Sequence, residues 1–224
     1  NSFLSLLFPH CCVVCGRPLA KGEECLCIMC NINLPRTNYH LWKDNPVERL
    51  FWGQIPLERA TSFFFYRKGS DFRQILHQLK YGGKKEVGII MGRYMAAELL
   101  DSGFFEGVDV IIPIPLHKKK QQIRGYNQSE CIARGIAAVT GIAVCVDLGG
   151  RRIIKKTQTR KSVFERWENV DGIFELNHAD SLTGKHILIV DDVLTTGATT
   201  IACASRLAEV EGIRISVLTL AMAD

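Results

Sequence analysis

The sequence lacks any long apolar run, any strong bias of charge and any internal repeat. Its apolar start, Phe3–Phe8, is far too short to span a bilayer, which takes about 20 residues. With no Lys or Arg before it and no small-residue cleavage site, it also makes a poor signal peptide. We therefore expect a cytoplasmic protein without membrane insertion. The net charge of +5 agrees with an anionic ligand or weak nucleic-acid binding and does not decide between them.

The composition is that of an ordinary globular protein. Of 224 residues, 47% are hydrophobic and 23% are charged, which allows a sizeable core in one large domain or in a domain with an appendage. Cysteine is unevenly spread, because six of the nine cysteines fall between Cys11 and Cys30. Disulfides rarely persist in the cytosol, so another role is expected for these thiols.

The cysteine cluster contains two Cys-x-x-Cys pairs with eleven residues between them. Four converging thiolates form a tetrahedral structural zinc site, and the short separation predicts a compact ribbon or knuckle. Cys11 or Cys25 could replace a neighbour as ligand. A thioredoxin-like redox pair is the rival interpretation, but no strand or βαβ pattern accompanies the first pair. The predicted zinc ligands are Cys12, Cys15, Cys27 and Cys30.

The chain is predicted to divide after the cysteines. Residues 1–36 form the zinc-binding module, 37–59 a connector and 60–224 the main domain. The connector carries prolines and scattered tryptophans, and we expect it to pack against another part of the protein. Across 108–224, strand patterns alternate with helix patterns, which predicts βαβ units and a mainly parallel sheet.

Local signals place several elements of the main domain. A strand is predicted at Ala60–Tyr66, followed by a helix for which Asp71 is a plausible cap. Asn127 or Ser129 can cap a further helix that stops at Gly141. Other strands are predicted at Ile142–Leu148, Gly172–Leu176 and Ile213–Leu220.

The stretch from His186 to Thr200 is the one around which the chain is organised. It begins as an uninterrupted apolar run, typical of a strand buried on both faces in a parallel sheet. Two adjacent carboxylates, Asp191 and Asp192, follow, and then a turn that opens a helix predicted from about Ala198 to Glu211. Ligands of parallel sheets bind beyond the carboxyl ends of the strands, so this turn is the predicted site.

The turn is suited to bind a phosphate. Free backbone N–H groups at a helix N-terminus, threonine hydroxyls and a glycine that allows close approach together favour an anion. The two acids would repel that anion and suit neutral hydroxyls or a hard cation. Two capping acids and an ordinary threonine cap would give the same pattern without any ligand. The predicted phosphate-binding residues of the turn are Thr195, Thr196, Gly197, Ala198 and Thr199.

Basic residues follow other predicted elements. A strand at Val108–Pro115 is broken by two prolines and leads into a cationic loop, where Arg124 beside a glycine suits bidentate phosphate binding. Lys80 ends the first helix, a position that the helix dipole favours in any case. We take Arg124 and Lys80 as candidate phosphate-binding residues. Gly149–Val170 is a long basic loop, which predicts a lid, a disordered segment or a duplex-binding arm.

The segment Val190–Thr199 resembles the phosphoribosyl-pyrophosphate signature of type I phosphoribosyltransferases. The resemblance implies an α/β fold with a mainly parallel sheet flanked by helices. It also implies that 5-phosphoribosyl 1-pyrophosphate (PRPP) binds with magnesium, with Asp191 and Asp192 as the catalytic acids on the ribose hydroxyls and the turn on the 5′-phosphate. In that class the loop comparable to the one with Arg124 holds pyrophosphate, and a catalytic hood occupies the place of the long basic loop.

Further motifs make the resemblance more specific. The motifs are LKYGG at 79–83, PIPLH at 113–117, RGYNQ at 124–128 and the region of Gln158 and Arg166. Together with the four-cysteine N-terminus, these motifs resemble the ComF/GntX family over nearly the whole chain. That family is associated with natural competence and DNA utilisation, which implies DNA or a protein of the competence machinery as a partner. Its activity is inferred mostly from its phosphoribosyltransferase fold.

One residue departs from the purine phosphoribosyltransferases, which carry an acid where Thr195 stands. That acid handles the ring proton of the base, and a threonine hydroxyl cannot do so at neutral pH. Purine salvage is therefore not expected, while donor binding is untouched.

Three hypotheses about function follow. The first is magnesium-dependent phosphoribosyl transfer to an unknown acceptor. The second is a non-catalytic module that senses PRPP or a nucleotide while the zinc module and basic loops contact DNA or a competence protein. A pure zinc or DNA-binding module is the third.

Overall fold

Seven strands form two sheets in the part of the chain that the structure describes. The computed structural model describes residues 10–146, 149–151, 174–176 and 179–224. Predictions on Gln158, Arg166 and most of the long basic loop lie outside these ranges. The strands are β1 Leu57–Tyr66, β2 Val110–Pro113, β3 Ala143–Val144, β4 Gly149–Arg151, β5 Phe174–Leu176, β6 His186–Leu194 and β7 Arg214–Ala223.

The larger sheet is parallel throughout and runs in the order β1, β7, β6, β2, β3. β6 lies in its middle, with Ile187 aligned with Ile215 on one side and with Val110 on the other. Residues 186–190 are all buried, because both faces of β6 are covered. The predicted buried strand and mainly parallel sheet are confirmed. β4 and β5 pair antiparallel as a separate two-stranded sheet.

Helices cover both faces of the parallel sheet. The helices are α1 Ile28–Ile32, α2 Pro46–Arg49, α3 Arg73–Tyr81, α4 Lys85–Leu99, α5 Lys118–Arg124, α6 Gln128–Thr140 and α7 Ala198–Leu207. Apolar residues of α3, α4 and α6 pack in one cluster on the first face, and those of α2 and α7 pack in a second cluster on the other. No helix in the described ranges is both long and apolar enough to cross a membrane.

Two helices of the first face approach each other closely at glycines. A Cβ atom at Gly92 would lie 2.2 Å from the carbonyl oxygen of Ile132, and one at Gly135 would lie 2.1 Å from that of Ile89. A larger side chain would therefore push the two backbones apart. The contact fixes the N-terminal end of α6 relative to α4.

The start and end of α6 follow the predicted signals. Asn127 is its N-cap, and its side chain accepts a hydrogen bond from the Ser129 amide at 3.1 Å. Gly141 ends the helix with a φ of 73°, a conformation that glycine adopts without strain. Cap and stop lie where the sequence placed them.

Other boundaries differ from the predictions. The N-cap of α3 is Phe72, which makes no side-chain cap, so Asp71 does not cap the helix. α7 ends at Leu207 and not near Glu211, because the chain turns before Gly212. β1 starts three residues early, and β3 ends at Val144, before its predicted end. β5 agrees with the last three residues of its predicted strand, whose first two lie outside the described ranges.

The cysteine-rich module packs against α4. Leu26 and Leu34 are buried in the same apolar cluster as Met91 and Met95 of that helix. Arg36 Nε donates to Glu98 Oε2 at 2.5 Å, which adds a part-buried ion pair to the contact. The module and the main domain therefore share one core, and the boundary after residue 36 stays a prediction.

Candidate functional site

The two acids lie at the carboxyl end of β6. Ser129 Oγ donates to Asp191 Oδ1 at 3.0 Å, and the backbone amide of Asp192 donates to the same oxygen at 2.8 Å. Ser129 is itself buried at the N-terminal end of α6. Within the described ranges no hydrogen-bond donor contacts the second carboxylate oxygen of Asp191. The Asp191 side chain is thus held in one orientation, and its second carboxylate oxygen can accept a further hydrogen bond.

Asp191 is poised between its two protonation states. Burial raises its pKa, and the charge of Asp192 raises it further, to about 7. The hydrogen bonds from the Asp192 amide and Ser129, together with the charge of Lys80, lower it but do not outweigh burial. Once it is ionised, the Asp191 carboxylate can accept hydrogen bonds from hydroxyl groups. Perturbed acids of this kind are typical of functional sites.

Lys80 compensates the charge of the second acid. Its Nζ lies 3.1 Å from Asp192 Oδ2, and the two side chains are 20% and 12% exposed. The end of α3 is anchored by Tyr126, whose buried hydroxyl donates to the Leu79 carbonyl oxygen at 2.5 Å. Lys80 therefore belongs to the candidate site, although the residue that it contacts is Asp192. Its role as a phosphate-binding residue stays a prediction.

The turn after β6 is partly open to solvent. Thr195 and Thr196 are exposed, Ala198 and Thr199 are half-buried, and Gly197 is buried with a φ of 75°. Among the described residues, the acceptor that reaches these amides is Thr196 Oγ1, at a long 3.4 Å from the Ala198 nitrogen. Gly197 is the N-cap of α7 and provides no side-chain cap. The amides are therefore available to an anion at the positive end of the helix dipole.

The connector supports this turn from inside. Phe51 is completely buried, and its Cε1 would lie 3.6 Å from a Cβ atom at Gly197. Ile201 of α7 packs at the same point, at 3.5 Å. Phe51 of the connector therefore packs beneath the candidate phosphate site, while the bounds of the connector at 37–59 stay a prediction.

Two cavities meet at Lys80 and Tyr81. We call the first, of about 490 Å³, the signature-side cavity, because Thr195 lines it. We call the second, of about 470 Å³, the cationic cavity, because Lys120 and Arg124 line it. Both have the size of small-molecule sites. The Arg124 guanidinium lies over the Tyr81 ring, 5.4 Å from its centroid, so this predicted residue also borders the site.

The four predicted cysteines converge. The sulfur atoms of Cys12, Cys15, Cys27 and Cys30 all lie within 4.8 Å of one another, and those of Cys15 and Cys27 are 3.7 Å apart. Thiolates around a tetrahedral zinc ion are spaced at about 3.8 Å, given a Zn–S bond of about 2.3 Å. The cluster therefore has the donors and spacing to hold a metal ion. Burial opposes ionisation of Cys12, but backbone hydrogen bonds outweigh it and lower the pKa to about 7.

The two alternative cysteines do not join this cluster. Cys25 is buried in the apolar core, and burial raises its pKa to about 12. Cys11 is exposed and lies outside the group of four. The Cys-x-x-Cys spacing alone thus identified the converging residues.

Three contributors to the site were not predicted as such. Ser129 was identified only as a possible cap, yet its hydroxyl orients Asp191. Tyr126 donates a hydrogen bond to the backbone near the end of α3, and Phe51 packs beneath the turn at Gly197. The RGYNQ motif was a signal for Tyr126, whereas no local pattern marks Phe51, because its contact depends on the tertiary fold.

A parallel sheet flanked by helices carries an acid pair and a hydroxyl-rich turn at its carboxyl edge, which is the arrangement expected from the resemblance to the type I phosphoribosyltransferases. The four-cysteine cluster is an addition to that fold. No family model matches the chain.

Curated relatives cover most of the chain. DNA utilization protein YhgH of Shigella flexneri is 28% identical over 209 residues, which is 87% of this chain and 88% of that protein. Competence protein ComFC of Bacillus subtilis is 25% identical over 89% of this chain and 72% of its own. Competence protein F of Haemophilus influenzae is 31% identical over 41% of this chain and 40% of its own. These relatives confirm the resemblance to the ComF/GntX family.

Two similar solved structures, both of proteins named for phosphoribosyl chemistry, are more distant in sequence. Glutamine PRPP amidotransferase from B. subtilis, complexed with ADP and GMP, has a TM-score of 0.43 and 19% identity over 64% of this chain and 30% of that chain. A hypoxanthine phosphoribosyltransferase from Staphylococcus aureus has a TM-score of 0.39 and 14% identity over 62% of this chain and 64% of that chain.

Proposed function

We propose that the protein binds PRPP with magnesium and transfers its phosphoribosyl group to an acceptor. The observation that supports this most directly is the pair of acids next to a turn with open amides at one edge of the sheet. The turn at 195–199 would bind the 5′-phosphate, and Asp191 and Asp192 would accept the ribose hydroxyls. Holding the remote phosphate in this way would position C1′ for attack.

Charge compensation at this edge supports the same proposal. Asp191 and Asp192 offer the carboxylate oxygens that magnesium prefers, and they would hold the ribose hydroxyls directly or through that metal ion. Magnesium would supply positive charge to stabilise the departing pyrophosphate. The cationic cavity would receive that pyrophosphate, because Lys120 and Arg124 line it without any acid among the described lining residues.

The cysteine cluster would hold a structural zinc ion. Four thiolates with the observed convergence form a closed site with no position left for a substrate, so the metal would stabilise the fold. Thiolates that bind metal need reducing conditions, which is why we propose a cytoplasmic location.

Calorimetry with PRPP and magnesium tests the donor site. We expect saturable binding by the full chain and at least about tenfold weaker binding by the Asp191→Asn, Asp192→Asn double variant, because charge-assisted hydrogen bonds are lost. Asp101→Asn is the matched control, since this exposed acid lies at the end of α4. Equal affinity in all three proteins would contradict the assignment. Release of pyrophosphate across candidate acceptors then tests transfer.

A second candidate is a non-catalytic module that senses PRPP or a nucleotide and contacts DNA or a competence protein. The names of the relatives favour it, because they refer to DNA utilisation and competence. Donor binding without pyrophosphate release for any acceptor would support this alternative. Salt-dependent DNA affinity that survives the double Asp→Asn change would support a DNA surface separate from the donor site.

A further inference from the structure

The signature-side cavity contains a cation that the donor site does not use. Arg73, at the first turn of α3, lines the cavity, and its Nη1 donates to the Lys68 carbonyl oxygen at 2.9 Å. Among the described residues Arg73 has no carboxylate partner. Lys80, the other cation of the cavity, is already paired with Asp192. Arg73 therefore presents an uncompensated charge at the cavity, whose described lining contains no acid.

The same cavity is bordered by flat side chains. His77 and Tyr81 lie one helical turn apart on α3 with ring centroids 5.4 Å apart, and Tyr66 at the end of β1 also lines the cavity. Rings of this kind pack well against a flat ligand. Thr195 and Val193 place the cavity directly against the signature turn. A second substrate in this cavity would therefore meet the donor.

The signature turn also limits the chemistry of that second substrate. Thr195 is the residue of the turn that lines the cavity, and its hydroxyl cannot act as a base at neutral pH. An acceptor whose attacking nitrogen carries no proton needs no such base. Its lone pair would form the new bond to C1′ while the bond from C1′ to pyrophosphate oxygen breaks. Pyrophosphate would leave with that electron pair, so no proton has to be moved.

We propose that the signature-side cavity is the acceptor site and takes an anionic heteroaromatic ring, whose carboxylate pairs with Arg73 while its unprotonated ring nitrogen faces the donor. This inference rests on the proposed phosphoribosyl transfer. It names the class of acceptor from the charge and shape of the cavity.

Two probes of the same shape test the proposal. Pyridine-3-carboxylate and pyridine-3-carboxamide share the ring and its nitrogen but differ in charge. Titrated into the zinc-loaded full chain without donor and followed by NMR, the carboxylate should bind at least about tenfold more tightly. Arg73→Gln should reduce that preference to less than about threefold. Lys68→Gln, which removes a neighbouring exposed charge outside the cavity lining, should keep it.

The outcomes separate this proposal from the donor site. Equal binding of the two probes, binding of neither, or an unchanged preference in Arg73→Gln would overturn the acceptor assignment. PRPP affinity should stay within about twofold in Arg73→Gln, because the residue lies outside the signature turn. Failure of PRPP to bind the wild-type chain would instead remove the proposed function. The charge preference is measured without donor and reports on the cavity alone.

Discussion

The pKa of Asp191 predicts that pH acts in opposite directions on stability and on donor affinity. An aspartate in the unfolded chain has a pKa of about 3.9, whereas burial and Asp192 raise the folded value to about 7. Folding therefore favours the protonated acid. Its contribution to stability is fully present below the unfolded pKa and is lost as pH rises through the folded one. Without magnesium and donor, the free energy of unfolding should fall by at most about 1.4 kcal/mol per pH unit between roughly pH 4 and pH 7, relative to Asp191→Asn.

Donor affinity should change in the other direction. The ionised carboxylate accepts hydroxyl hydrogen bonds at both oxygens, so PRPP should bind the ionised form. With a pKa of about 7, roughly a tenth of the molecules are ionised at pH 6, half at pH 7 and nine tenths at pH 8. The dissociation constant should therefore fall about fivefold from pH 6 to pH 7 and about twofold more by pH 8.

Calorimetry with constant magnesium checks the affinity, and urea unfolding checks the stability. Asp191→Asn is the control, because its profile carries only the titration of PRPP itself and of other groups. Ser129→Ala should move the midpoint to higher pH, since it removes a hydrogen bond that favours the ionised acid. Parallel pH profiles in the wild type and Asp191→Asn, for both affinity and stability, would refute the reasoning.

Two further predictions concern the fold and the metal. Gly92→Ala should lower the free energy of unfolding by about 3 kcal/mol in urea denaturation, because the new methyl group would meet the Ile132 carbonyl oxygen. Gly69→Ala, which has nothing within 4 Å, should change it by less than about 0.5 kcal/mol, and equal losses would contradict the close packing. Metal analysis should find one zinc ion per chain, retained in Cys11→Ser and lost or weakly held in Cys12→Ser. Loss in both variants would contradict the ligand set.

The sequence predicted the parts of the site that are local. The apolar run, the acids and the turn are contiguous, so their order along the chain already defines β6, the loop and α7. The two Cys-x-x-Cys pairs are likewise local, and they converge as expected. Asn127 and Gly141 bound α6 because cap and stop signals act within one helical turn.

The contacts that orient the acids could not be predicted in this way. Ser129 and Asp191 are 62 residues apart, and their hydrogen bond depends on how α6 packs, through its glycine contact with α4 and through the hydrogen bond from Asn127 to the Ile114 carbonyl oxygen. The same holds for Lys80, whose distance to Asp192 depends on how α3 packs on the sheet. The capping propensity of aspartate also led to a wrong prediction at Asp71, because the helix has Phe72 as its N-cap. The Phe72 amide donates instead to the hydroxyl of the neighbouring Ser70, at 3.3 Å.

The position of Lys80 links the two halves of the proposed site. The Lys80 ammonium nitrogen lies 3.1 Å from Asp192 Oδ2, and Lys80 lines both cavities. A magnesium ion that bound Asp192 alone would compete with this lysine for the carboxylate, and displacing the lysine would leave its charge uncompensated, which is costly for a partly buried group. A donor that brings both hydroxyls for the acids and pyrophosphate for the cationic cavity offers Lys80 new acceptors at the same moment. The charges of the unliganded site therefore favour binding of metal and donor together over binding of the metal alone.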